Sequence, residues 1–262
     1  QPLVDGESVV LRALDASRLP GLDSLFPKQA VIVDLMRGIT AQTGKAGGLV
    51  LISGATGSGK STIAKLIAKK YNYIYVDTGA MYRAVTLFAK NNRFVTHDFL
   101  DKDSLIASLS NISLRFQFNE NLGFAEMFLN NKNVENEIRT LEISQLVSKI
   151  AAISEVRKKL VAEQQEMGKN GGIVMDGRDI GTVVFPDAEL KLYMTASPEK
   201  RAKRRYDELI EKGDIVSYED ILFNVQERDR IDSTRDDSPL VKATDAIEID
   251  NSNLGIEEQF EK

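Results

Sequence analysis

The stretch that most constrains this 262-residue chain is Gly54-Ala55-Thr56-Gly57-Ser58-Gly59-Lys60-Ser61, which fills the pattern G-x-x-x-x-G-K-[ST] completely. It follows a short apolar run, LVLIS at residues 49–53, which reads as a buried strand. After it, Ile63, Leu66, Ile67 and Lys70 recur at helical spacing, so a helix is expected to start inside the motif. Glycines let such a loop curl until successive N–H groups point at phosphate oxygens, and the helix N-terminus adds partial positive charge. Lys60 would reach the β- and γ-phosphates of a nucleotide, and the Ser61 hydroxyl would ligate Mg²⁺. Four fixed positions match by accident in roughly one percent of chains this long. The motif predicts nucleotide binding but does not separate a kinase from a hydrolase.

Further strands are expected at 73–76, 173–175, 190–194 and 246–249, with helical periodicity between most of them. The segment 140–168 reads as two helices, with Ser154 as break and N-cap. Ser197-Pro198 opens a helix that Gly213 stops, and Ser217 with Asp220 resembles a capping box for a helix reaching about Asp232. Residues 91–135 alternate at 113–118 and 125–129 around a turn at 119–123, which predicts a small antiparallel insert. Strands joined by helices imply an α/β fold of the P-loop NTPase type: a parallel sheet with helices on both faces, plus that insert and a short lid. Ligands in such sheets sit at the carboxyl ends of the strands. Three of the expected strand ends carry conspicuous polar groups: Gly54–Ser61, Asp77–Gly79 and Asp176–Asp179.

Composition narrows the classes. There is no cysteine, which excludes disulfides, thiolate metal sites and a cysteine nucleophile. One histidine, His97, lies in a polar stretch and offers little for a histidine-based dyad. The net charge of −5 gives no push toward nucleic acid. No apolar stretch approaches the ~20 residues of a membrane span. The N-terminus lacks a basic region followed by an apolar run, so no signal peptide is expected and the cytoplasm is the default.

The polar strand ends suggest an acceptor side. Arg83 lies one turn into the helix after Asp77-Thr78-Gly79 and could grip a phosphate in bidentate fashion; an ordinary surface arginine is the alternative. Asp176 could orient Mg²⁺ through water, Arg178 could offset charge on a transferring phosphoryl group, and Asp179 could hydrogen-bond a base edge; a tight polar turn is the alternative. Arg228, Asp232 and Arg235 share one helical face if the helix persists that far, and by themselves would be a solvated salt-bridged stripe. Arg201, Arg204 and Arg205 form a second cluster, either a solvated face or a mobile lid bringing positive charge to ATP.

From about residue 49 onward these segments resemble the bacterial cytidylate kinases of the P-loop nucleoside monophosphate kinase superfamily. The resemblance rests on GSGKST at 57–62, DTGAMYR at 77–83, EIRT at 137–140, DGRDIGTVVFPD at 176–187 and ERDRIDSTRDDSP at 227–239. It implies transfer of the γ-phosphoryl group of ATP, with Mg²⁺, to CMP and dCMP. Gly54 through Thr62, with Arg201 and Arg205, would bind ATP. Thr78, Arg157 and Asp179, with Arg235 close by, would meet the cytosine. Ser148, Arg228 and Asp232 would face the sugar. Arg83 and Arg178 would hold the acceptor phosphate with Tyr82 beside them, and Arg139 would also bind CMP. Lys60, Asp176, Arg178 and Arg204 would carry the catalytic step, which needs no general base because the attacking phosphate oxygen is already ionised. Thr78 departs from the serine common in the family, keeping the hydroxyl and adding a methyl. A monomer is expected, with neither nucleic acid nor membrane as partner.

Residues 1–46 do not fit that family. DGESVVLRAL at 5–14, the segment 27–40 and the Gly-rich approach to the loop resemble the region upstream of the phosphate loop in type II secretion and pilus ATPases. Two domains are therefore expected: an extension over 1–46 and a kinase over 47–262, with the insert at about 91–135 and the lid at about 198–235. A strand at 8–11 and a helix at 28–43 are expected in the extension. The missing initiator methionine and the abrupt end predict an assembled, truncated chain. Two other readings follow: an oligomeric secretion-type ATPase, or a nucleotide-binding module whose kinase site the extension has impaired.

Overall fold

In a computed structural model the described residues are 48–119, 124–211 and 213–253. The strand at 8–11, the helix at 28–43 and all but the first residue of the turn at 119–123 lie outside them.

Five parallel strands form the central sheet. They are β1 (Leu49–Gly54), β2 (Ile74–Asp77), β6 (Ile173–Gly177), β7 (Leu190–Thr195) and β8 (Ile247–Asp250), in the order β2-β6-β1-β7-β8. β1, β6 and β7 occupy the middle and read as near-continuous apolar runs, because helices cover both of their faces. On one side Val50, Ile52, Val174 and Leu192 pack on Ile63, Ala64 and Ile67 of α1 (Lys60–Tyr71). On the other, Leu51, Val76 and Met175 meet Ile180 and Val184, which belong to a single π turn at Ile180–Val184.

The insert contains β3 (Leu114–Asn119), β4 (Phe124–Leu129) and the short β5 (Lys132–Asn133), all antiparallel. Sequence reading missed β5 and a one-and-a-half-turn helix, α3 (Lys102–Ala107), too short to show a period; Asp101 caps it by accepting from the Ser104 N–H at 3.0 Å. The insert shares a core with α2 (Thr78–Asn91), α4 (Leu141–Ala151) and α5 (Ser154–Gly168), built on Met81, Val85, Met127, Ile138, Ile143 and Leu160. Ser154 is the first residue of α5 and not its cap. Extended Ile153 holds the cap position and is buried in that core, while the Ser154 hydroxyl turns to Asp237.

α6 (Pro198–Glu211) and α7 (Tyr218–Thr234) form a hairpin around Ala202, Leu209, Ile221 and Val225. Gly213, at φ +84°, turns the chain after α6. Ser217 caps α7 through the Asp220 N–H at 3.0 Å. α7 ends at Thr234, so Arg235 is its C-cap at ψ 145° rather than a further helical residue. Among the described residues no helix is long and apolar enough to cross a membrane.

Candidate active site

The carboxyl ends of β1, β2, β6 and β8 meet at one end of the sheet. There the backbone curls through Gly57 and Gly59, at φ +74° and +94°, conformations that favour glycine. A side chain at Gly57 would press on the Cβ of Arg201 at 3.1 Å, so the loop also needs glycine for space. Ser58 Oγ and Lys60 Nζ both donate to Ala55 O, at 3.0 and 2.6 Å. Lys60 is buried, and that burial, followed by the charge of Arg178, brings its pKa down to about 7. Ser61 Oγ donates to Asp176 Oδ2 at 2.9 Å. Asp176 is itself pushed up to about 6 by burial and then by the charge of Asp77.

A cavity of about 130 Å³ opens beside this loop. All ten residues expected on the acceptor side line it: Thr78, Tyr82, Arg83, Arg139, Ser148, Arg157, Asp179, Arg228, Asp232 and Arg235. Asp176, Arg178, Lys60 and Ser61 complete the wall. Six guanidinium groups and one ammonium thus face four carboxylates, the fourth being Asp77. Against burial, Arg139, Arg157 and Arg178 are held above their ordinary values by Asp77, Asp179 and Asp232, and the excess is felt at others. Burial, then Arg228 and Arg139, lowers the Arg83 pKa well below its ordinary value, and burial, then Arg178, brings Arg228 down to about 10. A site that crowds cations beyond its own carboxylates is built for an anion.

Local structure delivers each group. Asp77 caps α2 by accepting from the Ala80 N–H at 3.0 Å and pairs with Arg139 at 2.8 Å. Arg83, one turn along α2, donates to Ile138 O at 3.2 Å. Asp179 forms a buried ion pair with Arg157 of α5, and Arg235 stands 4.0 Å from its other oxygen. Arg178 pairs with Asp232 at 3.0 Å, and Arg228 donates to Ser144 Oγ at 2.9 Å. Thr78 Oγ1 donates to Asp176 O at 2.7 Å. Four buried atoms around the cavity make no hydrogen bond within the described residues: Tyr82 OH, Ser148 Oγ, Arg157 Nε and Arg228 Nε. Buried polar groups normally have partners, so such a set leaves hydrogen-bonding capacity unspent beside the cavity.

A second, wider cleft of about 600 Å³ lies across the phosphate loop, lined by Thr56, Gly57, Gly59 through Thr62, Arg204, Arg205, Glu208 and Asn251, among others. Arg204 donates to Asn251 O at 2.7 Å, and Arg205 reaches Arg139 O at 3.2 Å and Glu208. Arg201 differs from the mobile-lid expectation. It is buried at 3% exposure, donates to Ala196 O and Thr56 O at 2.8 and 3.2 Å, and is ion-paired with Asp229. It clasps the root of α6 to the phosphate loop because the guanidinium fork can satisfy two carbonyls and a carboxylate at once.

Sequence reading missed Asn251 and Asp229. Asn251 follows β8, is 1% exposed, and donates from Nδ2 to Ser58 O at 2.8 Å. The strand-end rule that singled out Asp77 and Asp176 applies equally to this position. Asp229 had no readable signal, since its partner lies 28 residues away on another helix.

A family model described as cytidylate kinase matches residues 50–262. The chain belongs to the cytidylate kinase family. A cytidylate kinase of Flavobacterium johnsoniae is 64% identical over 211 residues, 80% of this chain and 92% of that protein. Cytidylate kinases of Flavobacterium psychrophilum and Parabacteroides distasonis are 61% and 55% identical over 211 residues, 80% of this chain in each case and 93% and 92% of those proteins. A solved structure, that of TT1252 from Thermus thermophilus, overlaps 81% of this chain and 92% of that one at 17% identity, with a TM-score of 0.37, too low to add to the comparison. These matches give no support to a secretion-type motor or a non-catalytic module.

Proposed function

We propose that the chain transfers the γ-phosphoryl group of ATP to CMP and dCMP, giving ADP and CDP or dCDP. The observation that carries this reading is the set of unpartnered polar atoms in a guanidinium-rich cavity that opens onto the phosphate loop. The name shared by the relatives supplies the base.

The acceptor phosphate lies among Arg83, Arg139 and Arg178, with Tyr82 beside them. Its oxygen is already ionised, so no side chain need remove a proton. Catalysis consists of holding two anions in line and neutralising charge, which preorganised cations in a dry site do well. Lys60 supports the β- and γ-phosphates, and Arg178 and Arg204 offset charge on the transferring group. Gly54 through Thr62 wrap the donor phosphates, Arg205 borders the donor cleft, and Arg201 serves ATP binding through its clasp on Thr56. Asp179 and Arg157, with Thr78 and Arg235, discriminate the cytosine as acceptor and donor. Ser148, Arg228 and Asp232 meet the sugar.

Ser61 and Asp176 suit Mg²⁺, which takes hard oxygen ligands in small number and leaves the rest to phosphate and water. Bound there, Mg²⁺ would supply charge neutralisation at the phosphates.

The same proposal assigns residues 47–262 to the kinase, with the insert at about 91–135 and the lid at about 198–235. It treats residues 1–46 as a joined fragment similar to secretion and pilus ATPases. The family match, which begins at residue 50, supports that boundary. It takes the protein as a cytoplasmic monomer with ATP and CMP or dCMP as its only partners.

The test is ADP release from ATP and Mg²⁺ with each nucleoside monophosphate in turn and a control without acceptor. Turnover is expected to be fastest with CMP or dCMP. Hydrolysis at the same rate without acceptor, or nucleotide binding with no turnover, would overturn the proposal.

A further inference from the structure

β2 carries a tyrosine for which the reaction above has no use. Tyr75 O–H donates to Asp176 Oδ1 at 2.7 Å, while Ser61 Oγ donates to Oδ2 at 2.9 Å. Both oxygens of this buried carboxylate are therefore engaged, one from each side. The sheet register explains the reach. Asp77 stands opposite Asp176 in the parallel β2–β6 pair, and Tyr75, two residues back, lies on the same face as Asp77. The long phenol runs along the sheet to a carboxylate that a shorter side chain would miss.

The ring is held from the helix side. Lys65 Nζ lies 5.7 Å from its centroid and 4.1 Å from that of Phe124 on β4. Lys65 is one turn beyond Ser61, so α1 presents the Ser61 hydroxyl and the clamp on Tyr75 from one face. Burial, then the charges of Asp176 and Asp77, pushes the phenol pKa well above its ordinary value, which keeps it a donor.

Resting on the phosphotransferase reading, we propose that Tyr75 is a positioning residue for the nucleotide's metal ion. Its hydroxyl fixes the Asp176 carboxylate so that Oδ2 and the Ser61 hydroxyl form a single oxygen face toward the phosphate loop. Partners that orient a ligating or near-ligating carboxylate typically change metal affinity 10- to 100-fold when removed.

The experiment uses Tyr75→Phe, which keeps the ring and removes the donor, with Mn²⁺ as a spectroscopic stand-in for Mg²⁺. Electron paramagnetic resonance measures Mn²⁺ affinity in the protein–ADP complex, and calorimetry measures ADP affinity in EDTA. The variant is expected to hold Mn²⁺ about tenfold more weakly, with metal-free ADP affinity changed less than about twofold. Tyr73→Phe, whose hydroxyl accepts from the Gly48 N–H at 3.2 Å, is expected to change neither. In an Asp176→Ala background, which leaves the phenol no acceptor there, Tyr75→Phe is expected to add nothing.

Unchanged Mn²⁺ affinity in Tyr75→Phe would overturn the proposal. So would an equal loss of metal-free ADP binding, which would assign the tyrosine a general structural part. A full tenfold effect that persists in the Asp176→Ala background would also overturn it. A parent protein that binds no Mn²⁺ with ADP would remove the phosphotransferase reading itself, a result separable from all three.

Discussion

Asp179→Ala isolates the electrostatics of the acceptor cavity. The substitution removes the carboxylate between Arg157 and Arg235, whose side chains are only 3% and 5% exposed. Removing one partner of a buried ion pair costs about 3–5 kcal/mol, because the charge left behind keeps its desolvation penalty without compensation. Here two cations lose their shared anion. Each keeps another: Arg157 a more distant one, Asp237 at 3.8 Å, and Arg235 a nearer one, Asp232 at 3.7 Å. The lower end of the range therefore applies, about 3 kcal/mol. For a chain this size each kcal/mol moves Tm by about 2–4 °C, so a fall of about 6–12 °C is expected in scanning calorimetry at low salt. Saturating CMP should raise the parent's Tm through binding to the folded state and should raise the variant's far less. A variant that melts within about 2 °C of the parent and keeps its response to CMP would refute the assignment of Asp179 as the anion shared by both arginines.

Other substitutions read the remaining groups. Ser148→Ala should leave stability within about 0.5 kcal/mol, because Ser148 Oγ makes no hydrogen bond within the described residues. It should raise KM for CMP about fivefold, the worth of one hydrogen bond, and steady-state kinetics beside a thermal melt checks both. Asn251→Ala frees Ser58 O from its amide and should raise KM for ATP about tenfold while KM for CMP stays within twofold; equal changes in both would refute its donor-side role. Asp176 tests a pH dependence. Its folded pKa, about 6, lies above its unfolded value near 3.8, so its contribution to stability is fully present below about pH 4 and is lost as pH rises through about 6. Asp176→Asn does not titrate, so its Tm relative to the parent should rise between about pH 4.5 and 7.5; a flat or falling difference would refute the burial of that charge.

Four strands of the central sheet were legible because each is a largely apolar run closed by polar residues, whereas β8, Ile-Glu-Ile-Asp, shows only alternation. The phosphate loop was legible because its glycines and Lys60 have few other uses in that order. Arg83, Asp179, Arg228, Asp232 and Arg235 stood out in the sequence, Ser148 and Arg157 only through the resemblance, and the pairing of these residues through neither. That Asp179 takes Arg157, and Asp232 takes Arg178, depends on where α5 and α7 cross the sheet, and no local spacing encodes that. The arginine cluster on α6 misled for the same reason. Three arginines within five residues look equivalent in sequence, yet a single turn of helix buries Arg201 beneath Gly57, leaves Arg204 facing the cleft, and sends Arg205 toward Arg139. The first residue of α5 shows a smaller limit: a serine at a helix start reads as a cap, but burial of Ile153 moved the boundary by one position.

The clasp at Arg201 turns α6 into a lever with its pivot at the phosphate loop. At 1.5 Å per residue, Arg204 stands about 4.5 Å along the helix from that pivot and Glu211 about 15 Å. A swing of about 10° would move the far end by ~2.6 Å and Arg204 by less than about 1 Å. Glu208 and Glu211, on the outer edge of the donor cleft, can thus change the width of its mouth while Arg204 keeps its hold on Asn251. A cleft widened by such a swing would widen at Glu208 and Glu211 and hardly at Arg204.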